Sequence, residues 1–311
     1  MADHATERQP ARVRLMGVLN VTPDSFSDGG KYLQPEAAAQ RALEMQAQGA
    51  DIIDMGAEST RPGSCGVPAA EQLGRLLPVL KAFRRQSALP VSIDTRSAAV
   101  AEACLEEGAD IINDVSALRH DPLMPGLAAR RKCGVILMHM QGTPETMQQS
   151  PRYDDAVAEI VLFLRERLAA CAAAGIPEGQ VMIDPGLGFG KTLEHNLAIL
   201  RRLGEFAALQ RPVVVGASRK SFLGLLTGEQ VPERRVAASV AAGLLAVRNG
   251  AAVLRVHDVA EHKAALTRII HHSRDEAAPH PKRMKMVAPG AVDTVDEVDT
   301  VDEVDTVDEV D

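Results

Sequence analysis

Eight times between Val13 and His272 the chain repeats one pattern, a short β-branched apolar run followed by a longer stretch rich in Ala, Leu and Arg at helical spacing. The runs are VRLMGVLNVT, ADIIDMGAEST, PVSIDT, ADIINDV, CGVILMHM, VMIDPG, RPVVVGAS and AAVLRVHD. Helical stretches span about Pro35 to Gly49, Ala69 to Phe83, Ser97 to Gly108, Leu123 to Arg131, Asp154 to Ala174, Leu193 to Phe206, Pro232 to Asn249 and Val259 to His272. Strands that are apolar throughout, separated by helices, belong to a parallel sheet covered by those helices. Eight such units in about 270 residues match an α/β fold of the (β/α)8 barrel type, whose usual size is about 250 residues. A doubly wound open sheet is the alternative. It is disfavoured because a polar residue closes every run, whereas an open sheet gathers its ligand groups at one crevice. The boundaries expected are a flexible N-terminus over residues 1–12, the barrel over 13–274, and a linker and tail over 275–311.

The tail bears on the charge. Formal net charge is −8, yet residues 292–311 repeat VDTVDE and hold ten carboxylates with no basic residue. The rest carries 34 basic against 32 acidic side chains, a net of +2. A nearly neutral body with two Tyr and no Trp leaves no basic footprint and few stacking platforms for nucleic acid. The repeats repel themselves and lack large apolar groups, so they are expected to be disordered. No run of about 18 apolar residues suggests a membrane span. The polar start MADHATERQPAR lacks the apolar region of a secretory signal. Cys65, Cys104, Cys133 and Cys171 show no metal spacing, as expected of reduced thiols in a cytoplasmic protein.

Candidate chemistry lies at the ends of the runs: Asn20, Asp54 with Glu58, Asp94, Asn113 with Asp114, His139, Asp184, Ser218 with Lys220, and Arg255 with His257. A barrel brings such positions to one mouth. Any one of them taken alone is as readily a helix cap or turn former, and Asp94 and Asp114 are the plainest cases. His139, in an apolar run, reads first as a core or rim histidine. His195, His271 and His272 read as solvated helix residues. Asp54 is as well suited to holding its own loop as to touching a ligand. The sixth run ends in Asp184-Pro185-Gly186 and continues as LGFGKT, delivering one buried carboxylate beside a glycine-rich turn. This is not a nucleotide P-loop, because Pro185 stands where GxxxxGK[ST] requires its first glycine. Two connections, NVTPDSFSDGGKYLQ and ESTRPGSCGVP, are long and rich in Gly, Pro, Ser and Thr, which makes them lid candidates.

The blocks GVLNVTPDSFSDGG, DIIDMGAESTRPG, SIDTR, DIINDVSAL, LMHMQGTP, IDPGLGFGKT, GASRKSFLG and RVHDV together resemble the dihydropteroate synthase family over about residues 13–272. The resemblance implies transfer of a pterinylmethyl group in tetrahydrofolate biosynthesis. In that reaction 4-aminobenzoate displaces diphosphate from (7,8-dihydropterin-6-yl)methyl diphosphate. It also implies a homodimer, inhibition by sulfonamides, and Mg²⁺ bridging Asn20 to phosphate oxygens. Carried onto this chain, it places the pterin against Asp94, Asn113, Asp184 and Lys220 with Met138 and Phe189 as walls. Diphosphate falls to Asn20, Thr60, Arg61, Arg255 and His257, and 4-aminobenzoate to Arg61, Pro62, Phe189, Lys220 and Ser221. Asp94, Lys220 and Arg61 are the catalytic candidates. An ionised Asp184 suits the alternating donors and acceptors of a pterin edge. Arg255, His257 and Mg²⁺ would neutralise the leaving group. An aromatic amine is neutral at pH 7 and needs no base, so an S_N1-like path is expected, with Asp94 stabilising positive charge on the pterin. Ser221, at a helix start, suits the carboxylate of 4-aminobenzoate. Three alternatives are a corrinoid-linked, pterin-dependent methyltransferase domain, a non-catalytic pterin-binding paralogue, and an aldolase-like barrel using Lys220 as a Schiff base.

Overall fold

The computed structural model describes residues 12–22, 35–58 and 66–275. The two lid candidates, Thr60, Arg61, Pro62 and Cys65 among them, lie largely outside the described residues, as do both terminal segments. The strands are β1 (Arg14–Asn20), β2 (Ile52–Gly56), β3 (Val91–Asp94), β4 (Ile111–Asp114), β5 (Gly134–Met138), β6 (Val181–Asp184), β7 (Val214–Val215) and β8 (Val253–Val256). All pair in parallel, in the order β6-β5-β4-β3-β2-β1-β8-β7. The two ends meet through a parallel bridge between Ile183 and Val213, and the Ile183 N–H donates to the Pro212 carbonyl at 3.0 Å. That contact closes the sheet, so the fold is the (β/α)8 barrel and not the open alternative.

The helices are α1 (Pro35–Ala47), α2 (Ala69–Arg84), α3 (Ala98–Glu106), α4 (Met124–Arg131), α5 (Ala156–Ala173), α6 (Leu193–Arg201), α7 (Ser221–Thr227), α8 (Val236–Arg248) and α9 (Val259–Asp275). Asp155 caps α5 by accepting the N–H groups of Val157 and Ala158. Thr192 and His195 form a reciprocal capping box at α6, so His195 is not the solvated bystander that helical spacing suggested. Its ring also meets Tyr153 edge-on at 4.9 Å. Two boundaries depart from expectation. A 3-10 turn over Pro232–Arg234 precedes α8, because Pro232 sits at the first position of that turn and the chain re-aims before the helix. β7 is reduced to two residues, since Pro212 on one side cannot donate to a ladder.

Alternation along the strands divides the apolar residues into two layers. Leu15, Leu19, Ile53, Met55, Val91, Ile93, Ile112 and Leu137 face outward and pack with Leu76, Leu80, Phe83, Phe206 and other helix residues. Met16, Ile52, Ile111, Ile136, Met182, Val214 and Val253 face inward and fill the barrel floor. Above that floor the inward positions turn polar, and the site begins there.

Candidate active site

Register fixes which side chains meet. β2, β3 and β4 align Asp54 with Ser92, Gly56 with Asp94, and Asp94 with Asn113, while β5 and β6 align Met138 with Asp184. Arg255, inward-facing on β8, reaches across to β2 and β3. Its Nε donates to Asp54 Oδ2 at 2.7 Å and its Nη2 to Asp94 Oδ2 at 2.8 Å. Asn113 Nδ2 adds longer contacts to both Asp54 oxygens at 3.4 and 3.3 Å. On the far side, Gly186 N–H donates to Asp184 Oδ1 at 2.7 Å. The Lys220 ammonium lies 3.9 Å from the Phe189 ring centre and donates to the Leu187 carbonyl at 2.8 Å.

These groups surround a narrow cleft. Seven residues nominated from sequence line it: Asp94, Asn113, Met138, Asp184, Phe189, Lys220 and Arg255. Gly186, from the glycine-rich turn expected beside Asp184, completes the wall with Val115, Leu187 and Gly216, which were not anticipated. Gly186 (φ 69°) has no room for a side chain, because a Cβ there would sit 2.0 Å from the His139 carbonyl oxygen. A second, wider groove is lined by Gln72, Arg96, Ser97, His120 and Thr143 among others. Of the nominated strand-end residues only Glu58 reaches it, paired with Arg96 at 2.7 Å. The convergent buried charges belong to the smaller space, so the chemistry is placed there.

Burial sets the protonation states. It pushes Asp94 up to about 7, against the pull of Arg255 and with the help of Asp54. It raises Asp184 as well, opposed by the Gly186 N–H and by Lys220. Lys220 is brought down to about 7 by burial and by Arg255, although Asp184 and Asp94 resist. Arg255 is also desolvated, but Asp54 and Asp94 outweigh this and hold it firmly protonated. His257 is lowered to about 3 by burial and then by Arg255, and its Nδ1 lies 3.1 Å from Ser218 Oγ. Without an anion beside it, burial and the neighbouring guanidinium favour the neutral ring, which Ser218 holds in place.

Strand-end residues of the opposite parity do not join the cleft. Asp114 Oδ1 accepts from Ser116 N–H and Oγ at 2.7 and 2.6 Å, and Oδ2 from Leu118 N–H at 3.1 Å. It holds its own turn. His139 points away from the barrel, edge-on to Phe163 at 4.8 Å, with Lys191 Nζ 3.0 Å from its Nδ1. Its neutral ring and buried setting make it part of the packing between β5 and α5. Asn20 and His257 are half-buried at the rim, and Ser221 is exposed at the start of α7. Asp54, left open by the sequence, is fully buried beneath the cleft as a partner of Arg255.

A family model described as "Pterin binding enzyme" matches residues 16–257. The chain belongs to the pterin-binding enzyme family. Dihydropteroate synthase of Neisseria meningitidis serogroup B is 46% identical over 251 residues, covering 79% of this chain and 88% of that protein. A solved structure of Xanthomonas albilineans dihydropteroate synthase with 4-aminobenzoic acid superposes with a TM-score of 0.80 at 47% identity, covering 86% of this chain and 94% of the other. The same organism's synthase in complex with 7,8-dihydropteroate gives a TM-score of 0.76 at 44% identity, covering 86% and 95%. The matched segment of this pterin-binding chain contains every described residue nominated for the cleft. Lys191 is the residue that sequence reasoning passed over. It was set aside with the rejected P-loop reading of GLGFGKT, although a lysine in so apolar a stretch was the signal that it is buried.

Proposed function

We propose that this chain is a dihydropteroate synthase, condensing (7,8-dihydropterin-6-yl)methyl diphosphate with 4-aminobenzoate to 7,8-dihydropteroate and diphosphate in tetrahydrofolate biosynthesis. One observation carries the reading: Asp94, Asn113, Asp184, Lys220 and Arg255, from separate elements of the barrel, converge on a single narrow cleft. A flat ring with alternating donors and acceptors suits that floor, and Met138 and Phe189 offer it apolar faces. Asp184, when ionised, accepts two ring N–H groups. A ligand without those groups leaves a buried carboxylate unpaired, which is heavily penalised.

In the reaction the methylene–oxygen bond breaks and diphosphate leaves with the electron pair. The amine nitrogen of 4-aminobenzoate then bonds to the methylene carbon and releases its proton to solvent. Positive charge develops on the pterin, and Asp94 is the carboxylate beside it, so its part is electrostatic and the path is S_N1-like. Lys220, protonated, hydrogen-bonds the pterin from above Phe189, and Arg61, Pro62, Phe189 and Ser221 receive 4-aminobenzoate. Asn20, Thr60, Arg61, Arg255 and His257 hold the diphosphate. Arg255 already serves two carboxylates, which keeps its guanidinium fixed for this purpose.

Asn20 offers one hard oxygen, and no cluster of three metal-binding side chains exists among the described residues. That donor set fits Mg²⁺ carried mainly by phosphate oxygens and water, and poorly fits an ion caged by protein. When bound, Mg²⁺ would supply charge neutralisation to the leaving diphosphate. Sulfonamides, as mimics of 4-aminobenzoate, would compete at the same half of the site. No helix among the described residues is long and apolar enough to cross a membrane. A homodimeric assembly and a cytoplasmic location complete the proposal. The test is diphosphate release by the purified chain with pterin diphosphate and Mg²⁺. Release that depends on 4-aminobenzoate is expected, and release indifferent to it sinks the assignment.

A further inference from the structure

Residues 185–191 follow β6 without entering a strand or helix, so each carbonyl there must find a partner elsewhere. Five consecutive carbonyls do so, four of them through side chains. The Gly186 carbonyl accepts from Phe189 N–H at 3.2 Å, Leu187 from Lys220 Nζ at 2.8 Å, and Gly188 from Gln148 Nε2 at 3.2 Å. The Phe189 carbonyl accepts from Lys191 Nζ at 2.9 Å and that of Gly190 from the Tyr153 hydroxyl at 2.8 Å. Lys191 is only 2% exposed. The same Nζ lies 3.0 Å from His139 Nδ1 and 3.4 Å from the His139 carbonyl. For His139 Nδ1 to accept, the ring must be neutral with its proton on Nε2. No carboxylate hydrogen-bonds this amine among the described residues, and burial brings its proton affinity well below the ordinary lysine range, against the pull of Asp184. Burying a charge that way is unfavourable unless such hydrogen bonds offset it.

Phe189, 7% exposed, presents its ring to Lys220 on the cleft side while its carbonyl is gripped by Lys191 from behind. The loop also lies directly against the end of β5. A Cβ on Gly190 (φ 63°) would stand 2.7 Å from the Gln141 carbonyl oxygen, so there is no slack between the two backbones. We propose that Lys191 is a positioning residue for the 4-aminobenzoate half of the site: it clamps the Phe189 carbonyl to the His139 end of β5 and thereby sets the Phe189 ring beneath Lys220. This deepens the synthase reading and rests on it. Phe189 also walls the pterin, but the pterin's polar partners Asp94, Asn113 and Asp184 stand on strands outside the loop, so the pterin half is affected less.

The experiment compares wild type with Lys191→Met, which keeps the unbranched stem and removes the amine, and with Lys191→Gln, which restores two N–H donors. Steady-state kinetics with each substrate are paired with hydrogen exchange at the amides of residues 186–190. Expected for Lys191→Met is a rise in KM for 4-aminobenzoate on the order of tenfold or more, because misplacement by a fraction of an ångström is amplified at a reacting centre. The KM for the pterin diphosphate should move by less than about threefold, and amides 186–190 should exchange faster. Lys191→Gln should recover part of both effects. A 4-aminobenzoate KM and kcat within about twofold of wild type, with only a lower melting temperature, would overturn the proposal. Equal losses for both substrates would overturn it as well. Should Lys191→Met fail to fold, Lys191→Gln and His139→Leu carry the same comparison. A wild-type chain without turnover rejects the synthase reading, whereas unchanged exchange at 186–190 in the variant rejects the clamp whatever the turnover.

Discussion

Ile52 and Asp54 are two residues apart on β2, face the same barrel interior and are both buried, at 1% and 0% exposure. Ile52 joins six other apolar side chains in the floor, while Asp54 holds Arg255 above it. The floor is ordinary barrel packing, each such residue contributing about 1.5–3 kcal/mol when fully buried. The layer above removes carboxylates and cations from water, which burial alone makes unfavourable and which close pairing only partly offsets. A single strand thus supplies stability at one level and reactivity at the next. The divide falls within a single residue pair.

The largest expected effect is in the upper layer. Asp184→Ala should lower affinity for the pterin diphosphate on the order of 10²–10⁴-fold by calorimetry, the loss of two charge-assisted hydrogen bonds. Its melting temperature should stay within a few degrees of wild type, since the raised proton affinity of Asp184 marks a group whose ionised form is disfavoured by burial. Ile52→Ala tests the lower layer, with about 2–5 kcal/mol lost in urea unfolding and turnover per folded molecule nearly unchanged. A variant that fails in the opposite way, Asp184→Ala unstable or Ile52→Ala inactive though folded, breaks the division.

A pH profile sharpens it. Asp94 must be ionised and its proton affinity is raised to about 7, so kcat/KM should fall on the acid side of that value. Lys220 must be protonated and is lowered to about 7, so activity should also fall on the alkaline side. Each limb should approach about tenfold per pH unit. Lys220→Arg, which stays charged, should abolish the alkaline fall. The smallest effect belongs to the rim, where Ser218→Ala removes the partner of the His257 ring. A loss of about fivefold in kcat/KM is expected from one hydrogen bond, and a loss as large as that of Asp184→Ala would place the rim among the essential groups.

Most of the architecture was legible because each strand is a short apolar run ending at a polar residue, and those ends supplied five of the cleft residues, Asp94, Asn113, Asp184, Lys220 and Arg255, while Met138 and Phe189 came from the family resemblance. What was not legible was the direction in which neighbouring polar residues point. Asn113 faces in and Asp114 out, and Met138 in and His139 out, because successive strand residues alternate sides. That parity is present in the sequence, but its phase is known only once one inward residue is fixed. The rim histidine could not be judged either, since its lowered proton affinity follows from burial and from Arg255, which lies two positions before it and shares its face. Lys191 was hidden for a similar reason: its acceptors are a ring nitrogen and two carbonyls that come together only in the folded barrel.

Arg255 ties the last strand to Asp54 and Asp94, 201 and 161 positions earlier. During synthesis the first four strands emerge long before that guanidinium exists, and their two carboxylates have no cationic partner to receive them in the interior. Early β/α units can gather by their outer apolar faces, but completing the centre of the barrel waits for nearly the whole domain to leave the ribosome. A chain cut before β8 is left with uncompensated acid at its heart, and is expected to linger as a chaperone client instead of settling as a smaller, self-sufficient half-barrel.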